Sequence, residues 1–175
     1  MRKLVYSVAM SLDGFIAGQG GEYDWIIEEP SLDLEEQYRG FDTLLMGRRT
    51  YELMLEVGQT PKSMGMNAVV VSTTLDPALH HEVRIVSNGV ADAVAKLKTE
   101  AGKDIWLFGG GMLFRAMMDA GLVDVVELAV QPILLGSGVP VIPDGRRWPL
   151  RLEACDRYPN GTLMLRYSVP ASSAT

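Results

Sequence analysis

One cysteine, Cys155, and two histidines, His80 and His81, leave 175 residues with little material for the commonest metal and redox chemistries. A lone cysteine cannot close an intramolecular disulfide, so nothing points to an oxidising compartment, and a cytoplasmic address is expected. The chain has no GxxxxGK[ST] phosphate loop, no GxSxG elbow, no HExxH and no CxxC. No metal site is expected, and the adjacent His80 and His81 read as residues of a surface loop whose side chains diverge. Positive charge is also scarce: 16 basic residues against 22 acidic ones give a net charge of −6, which offers no general attraction for a phosphate backbone, so nucleic acid is not an expected partner. No run approaches the roughly 18 apolar residues of a membrane span. Met1-Arg-Lys3 followed by Leu4 to Met10 imitates a signal peptide only briefly, because Ser7, Ser11 and Asp13 break the pattern.

What is present is an ordinary globular composition, 47% hydrophobic and 22% charged, over a length typical of one domain. A single domain over residues 1–169 is expected, followed by a loose tail, 170–175. The ten methionines, among them Met64, Met66, Met117 and Met118, read mainly as core.

Leu4 to Met10 predicts a strand that leads through the turn Ser11-Leu-Asp-Gly14 into the glycine-rich stretch Gly18 to Gly21. Ser31 is a suitable N-cap for a short helix over Leu32 to Tyr38. Thr43 to Met46, Ala68 to Ser72, Val83 to Val86 and Asp104 to Phe108 are short apolar runs of the kind found in strands buried on both faces. Helical spacing follows the first of these over Arg48 to Glu56, resumes from Val90 through Val94 and Leu97 to a C-cap expected at Gly102, and returns over Met112 to Ala120. Val123 to Leu135 is a further β-branched run, and the alternating segments on either side of Asn160-Gly161 predict a hairpin. The fold class is therefore α/β: a mixed, mostly parallel sheet with flanking helices and a C-terminal antiparallel hairpin at one edge.

Three strand ends carry chemistry. Gly109-Gly-Gly111 lies between a strand and a helix, where glycines let the backbone approach a pyrophosphate and the helix presents free N–H groups; a turn that needs positive φ is the alternative. Gly47-Arg-Arg-Thr50 places two guanidinium groups and a hydroxyl at a second helix start. Basic residues there oppose the helix dipole, which an anion would reconcile. Ser72-Thr-Thr74 offers hydroxyl donors at a third end. If the strands are parallel, all three share one rim and suit an extended, multiply phosphorylated ligand.

Val8-Ala-Met-Ser-Leu-Asp-Gly-Phe-Ile-Ala17, Leu45-Met-Gly-Arg-Arg-Thr-Tyr-Glu52, Val71-Ser-Thr73, Leu107-Phe-Gly-Gly-Gly111 and Leu134-Leu-Gly-Ser-Gly-Val-Pro140 together resemble the dihydrofolate reductase-like family. The likeness is closest to the C-terminal reductase domain of the bifunctional deaminase-reductase of bacterial riboflavin biosynthesis, and it runs from Met1 to about Val169. The resemblance implies an NADPH-binding reductase on a sheet of about eight strands, assembled as a homodimer. It implies that Arg48 meets the adenosine 2′-phosphate with Gly47, Arg49 and Thr50 nearby, that Ser72 and Thr73 lie at the adenosine end, and that Gly109, Gly110 and Gly111 cradle the pyrophosphate. Ala9, Ile16 and Phe108 would line the nicotinamide.

Asp13, in the loop over the active site, would face the substrate or hold that loop through an Asx turn. Tyr23 and Trp25 would wall the substrate pocket, with a place in the core as the alternative for Trp25. Asp33 is the nearest candidate for the carboxylate that supports pterin protonation in dihydrofolate reductases; Glu35 and Glu36 compete with it, and exposed helix-face carboxylates are the alternative. The spacing from Asp33 to Gly47 departs from that family. With a single cysteine the chain lacks the PCxxC element of the zinc deaminases, and His80-His-Glu82 matches HxE without it, so a deaminase half is not expected.

The expected function is NADPH-dependent hydride transfer to a small heterocyclic or carbonyl substrate such as 5-amino-6-(5-phosphoribosylamino)uracil. Dihydrofolate reduction assisted by Asp33 is one alternative, and a nucleotide-binding protein without turnover is another.

Overall fold

The computed structural model describes residues 1–31 and 38–170. Ten strands are present: β1 (Leu4–Ser11), β2 (Phe15–Ala17), β3 (Phe41–Gly47), β4 (Asn67–Val71), β5 (Arg84–Val86), β6 (Asp104–Gly109), β7 (Val125–Gln131), β8 (Val139–Pro140), β9 (Arg151–Arg157) and β10 (Leu163–Ser168). Among the described residues three α-helices accompany them: α1 (Arg48–Glu56), α2 (Val90–Thr99) and α3 (Gly111–Asp119). The helix expected from Leu32 lies, apart from Tyr38, outside the described residues, as do 171–175.

Eight strands form one sheet in the order β5-β4-β3-β6-β1-β7-β10-β9. The six strands from β5 to β7 are mutually parallel, while β10 runs antiparallel to both β7 and β9. This is the dihydrofolate reductase-like arrangement. The apolar runs of β3, β4 and β6 are buried on both faces because each lies between other strands and under helices. One face carries Leu4, Tyr6, Leu45, Ile105, Leu107 and Val126 against Val94 and Leu97 of α2 and Phe114 and Met117 of α3. The other carries Leu44, Met46, Val70 and Trp106 against Tyr51 and Met54 of α1. Met66, Met117 and Met118 are buried, and Met64 packs against the cluster that holds Met66, in keeping with a core role.

Two local features differ from the sequence expectation. Helix α2 ends at Thr99 with Glu100 as its C-cap. Gly102 sits instead in the turn to β6, at φ +151, where a Cβ would fall 2.6 Å from an Asp42 carboxylate oxygen. A second, two-stranded sheet pairs β2 with β8 and lies outside the expected pattern. Strand β9 is exposed along its whole length, because it forms the sheet edge with both faces open.

Candidate functional site

With the inner strands parallel, the C-terminal ends of β4, β3, β6, β1 and β7 form one rim, and the three segments singled out in the sequence all lie on it. At the end of β3, Gly47 is the N-cap of α1; no side chain caps the helix and its first turn holds no acidic residue. Its leading N–H groups therefore face outward with Arg48, Arg49 and Thr50 around them. Arg48 and Arg49 are exposed, and the Arg48 guanidinium rests on Glu52 at 2.9 and 3.2 Å, an i,i+4 pair too exposed to hold it firmly.

At the adjoining end of β6, Gly110 caps α3, again with no side-chain cap and no acidic residue in the first turn. The Gly109-Gly110 peptide is cis and Gly109 has φ +153. A Cβ on Gly109 would lie 3.1 Å from Thr50 Oγ1, so α1 and the glycine run meet. A Cβ on Gly111 would lie 2.7 Å from the Pro140 carbonyl oxygen and 3.2 Å from that of Val141, which leaves no room for any other residue. Two uncapped helix N-termini on adjacent strands, a glycine cradle and two arginines fit the phosphates of a dinucleotide.

At the end of β4, buried Ser72 turns its hydroxyl inward to accept the backbone N–H groups of Thr74 and Leu75 at 3.1 and 3.0 Å, so the group offered to the rim is the exposed Thr73. Further back, buried Tyr51 donates to Glu82 at 2.5 Å and lies 3.2 Å from His80 Nδ1. His80 thus belongs to a loop that is fastened to α1, and burial beside the Glu82 carboxylate pushes the Tyr51 hydroxyl far up.

Along the same rim, Ala9 and Phe108 are half-buried on the sheet face shared with Met46 and Trp106, and Phe108 meets Trp106 edge-on at 4.9 Å. Ile16 lies in β2, beside β1. The Asp13 carboxylate accepts from Ser11 Oγ at 2.6 Å and from the backbone N–H groups of Leu135 and Gly136 at 3.1 and 2.7 Å. These bonds, the Ser11 hydroxyl foremost, hold its carboxyl below the usual carboxylate range. Asp13 therefore joins the loop after β1 to the loop after β7; these bonds reach across to the other loop, and within its own loop it is Ser11 Oγ that accepts a backbone N–H, that of Phe15 at 3.0 Å. The glycine-rich stretch closes on Glu22, whose carbonyl accepts from Gly18 N and from Trp25 Nε1. Tyr23 is exposed, and Trp25 is half-buried and belongs to neither apolar cluster. Asp33, Glu35 and Glu36 lie outside the described residues.

The sequence reading missed a polar group at the end of β7. Gln131 is 3% exposed and its Oε1 accepts from Ile27 N at 3.2 Å. A second polar residue, after Glu127, in the β-branched run of β7 was its signal. On the same sheet face, toward the strand starts, lies a cleft of about 540 Å³ lined by Val5, Phe41, Asp104, Glu127 and Arg166 among others. Among the described residues it has neither a glycine cradle nor a helix N-terminus, and its Glu127–Arg166 ion pair is already satisfied, which makes the rim the better candidate. Among the described residues no acidic, histidine or cysteine cluster could hold a metal ion, and no helix is long and apolar enough to cross a membrane.

A dihydrofolate reductase-like sheet whose rim carries two uncapped helix starts and a glycine run defines the fold class. Within it the chain belongs to the RibD C-terminal domain family, whose profile matches residues 2–164. It is 29% identical to the uncharacterised protein YyaP of Bacillus subtilis over 95% of this chain and 94% of that one. It superposes on a Shewanella sp. PV-4 protein assigned to riboflavin biosynthesis with a TM-score of 0.82, at 23% identity, covering 97% of this chain and 99% of the other. A diaminohydroxyphosphoribosylaminopyrimidine deaminase/5-amino-6-(5-phosphoribosylamino)uracil reductase of Thermotoga maritima matches with a TM-score of 0.70 at 15% identity, covering 97% of this chain and 57% of that one.

Proposed function

We propose that the protein is a reductase that draws hydride from NADPH and passes it to a small flat heterocycle or to a carbonyl carried on it, with 5-amino-6-(5-phosphoribosylamino)uracil the first candidate. The observation that carries this reading is the pair of uncapped helix starts at Gly47 and Gly110, on adjoining strands, with Arg48 beside one and the Gly109 to Gly111 cradle at the other. The nicotinamide supplies the hydride when bound. The chain's own part is to bind, orient and exclude water. The helix N-termini take the pyrophosphate, and Arg48, released from Glu52, supplies a planar fork for a 2′-phosphate. Ala9 and Phe108 give the ring an apolar seat, and the Asp13 latch holds two loops closed over it.

A homodimer accords with the exposed edge strand β9, whose Leu152 is half exposed and whose free backbone groups suit a second copy. The unpaired, exposed Cys155 suits a cytoplasmic setting.

Titration with NADPH and NADH tests the reading. Wild type is expected to bind NADPH in preference, and Arg48→Ala to weaken NADPH alone by about ten- to a hundredfold, the loss of one charge-assisted contact. Equal affinity for the two dinucleotides would overturn the assignment of Arg48, and no binding of either would overturn the cofactor.

A further inference from the structure

We propose that Gln131 selects the substrate of this rim, its side-chain NH2 donating to a ring carbonyl or ring nitrogen of a heterocycle that lies over Ala9 and Ala129. The inference deepens the reductase reading and rests on it for the position of the ring.

The register sets the geometry. β1 and β7 run parallel with Ala9 opposite Ala129 and Ser11 opposite Gln131. Residues two apart share a face, so two methyl side chains form a flat floor and Gln131 stands about 6–7 Å further along it, roughly the width of one heterocycle. Val126 belongs to the opposite core, which places Ala129 and Gln131 on the face of Ala9.

The orientation of the amide follows from its partners. Ile27 N can only donate, so the group it meets at 3.2 Å is the Gln131 oxygen, and Thr162 Oγ1 lies 3.4 Å from that same oxygen. The NH2 end is thereby turned away from both, and no residue described here accepts from it. Thr162, itself 3% exposed, donates its N–H to Asn160 Oδ1 at 2.9 Å, and the Asn160 Nδ2 is buried without a partner. Both amides thus spend their oxygens inside the protein; the Asn160 NH2 is a buried donor without a partner, and the Gln131 NH2 has no acceptor among the described residues, so a ligand that brings an acceptor to Gln131 can use it. The chemistry selects ring edges that carry carbonyls over edges that carry amino groups, a uracil over a cytosine.

A purely structural Gln131 would serve only as an acceptor, fastening segment 26–31 to β7. Gln131→Glu separates the roles, since it keeps the acceptor for Ile27 and Thr162 and removes the donor; Gln131→Met keeps the shape and removes both. The first experiment is 15N NMR of the side-chain amides in the full chain, titrated with uracil, 5-aminouracil and cytosine without cofactor, with the Gln131 signal assigned by its loss in Gln131→Met. The signal is expected to move with the two uracils and not with cytosine. In the NADPH oxidation assay with 5-amino-6-(5-phosphoribosylamino)uracil, Gln131→Glu is expected to raise KM by about tenfold, with NADPH affinity held. An unmoved Gln131 signal, or a Gln131→Glu KM equal to wild type, overturns the proposal. Failure of wild type to bind or oxidise NADPH would instead strike the reductase reading, and the cofactor-free titration would still decide Gln131.

Discussion

The two rims of the sheet are built on opposite electrostatic plans. At the strand starts, charges are consumed internally. Buried Arg2 pairs with Asp42, whose other oxygen accepts from Lys103 N at 2.7 Å. Buried Lys98 reaches Asp124 at 2.6 Å, and the same Asp124 oxygen accepts Leu4 N at 2.7 Å. At the strand ends, α1 and α3 begin without caps or acidic residues, arginines stand exposed and glycines replace side chains. A closed network stabilises the fold, whereas open donors await a partner, so the asymmetry singles out the strand ends as the candidate binding edge.

The largest expected effect comes from breaking the closed rim. Asp124→Ala strips the partner from Lys98, whose side chain is only 7% exposed, and releases Leu4 N. Loss of about 3 kcal/mol in unfolding free energy is expected, the lower end for an uncompensated buried charge, measured by urea denaturation. NADPH affinity should stay at the wild-type value, because the strand ends are untouched. A large loss of affinity with unchanged stability would reverse the assignment of the rims.

Gly111→Ala acts on the open rim and sharpens the contrast. The added methyl meets the backbone oxygens of Pro140 and Val141, which cannot yield as a flexible side chain would. Strain of about 1–3 kcal/mol is expected. Here cofactor affinity falls as well, because the start of α3 must shift from the position that presents its N–H groups. Calorimetric titration should show both changes together, and retained affinity would remove the cradle from the site.

Much of the rim was legible because its determinants are local. The change from a buried apolar run to helical spacing at Gly47 reflects one strand and one helix, and α1 spans Arg48–Glu56 as the spacing indicates. The parallel order followed from apolar runs buried on both faces, and the hairpin followed from Asn160-Gly161. The β2–β8 pair escaped because strands of three and two residues carry no period and are held by their partners. The inward turn of the Ser72 hydroxyl depends on the path of Thr74 and Leu75 after the strand, which composition does not encode. Gln131 escaped for a similar reason: its meaning rests on Ile27 and Thr162, both distant in sequence.

The smallest expected effect tests whether Asp13 is part of the open rim's chemistry or a fastening beside it. Its carboxylate is bonded in the ionised form, first by Ser11 Oγ and then by Gly136 N and Leu135 N, so its folded pKa lies below the unfolded value of about 3.9. The stabilising contribution is therefore complete above that unfolded value and disappears as pH falls through the folded one. Asp13→Asn places an amide NH2 against at least one of those N–H groups and titrates nowhere in the range. The variant's melting temperature should lie slightly below wild type at pH 7, and the two curves should converge in strong acid, where wild type loses the latch as well. Turnover should fall a few-fold with its neutral-pH profile unchanged, since a group already ionised there has no proton to give. A general acid at Asp13 would instead remove the basic limb of the wild-type rate profile on substitution, and that outcome would move Asp13 from the fastening into the reaction.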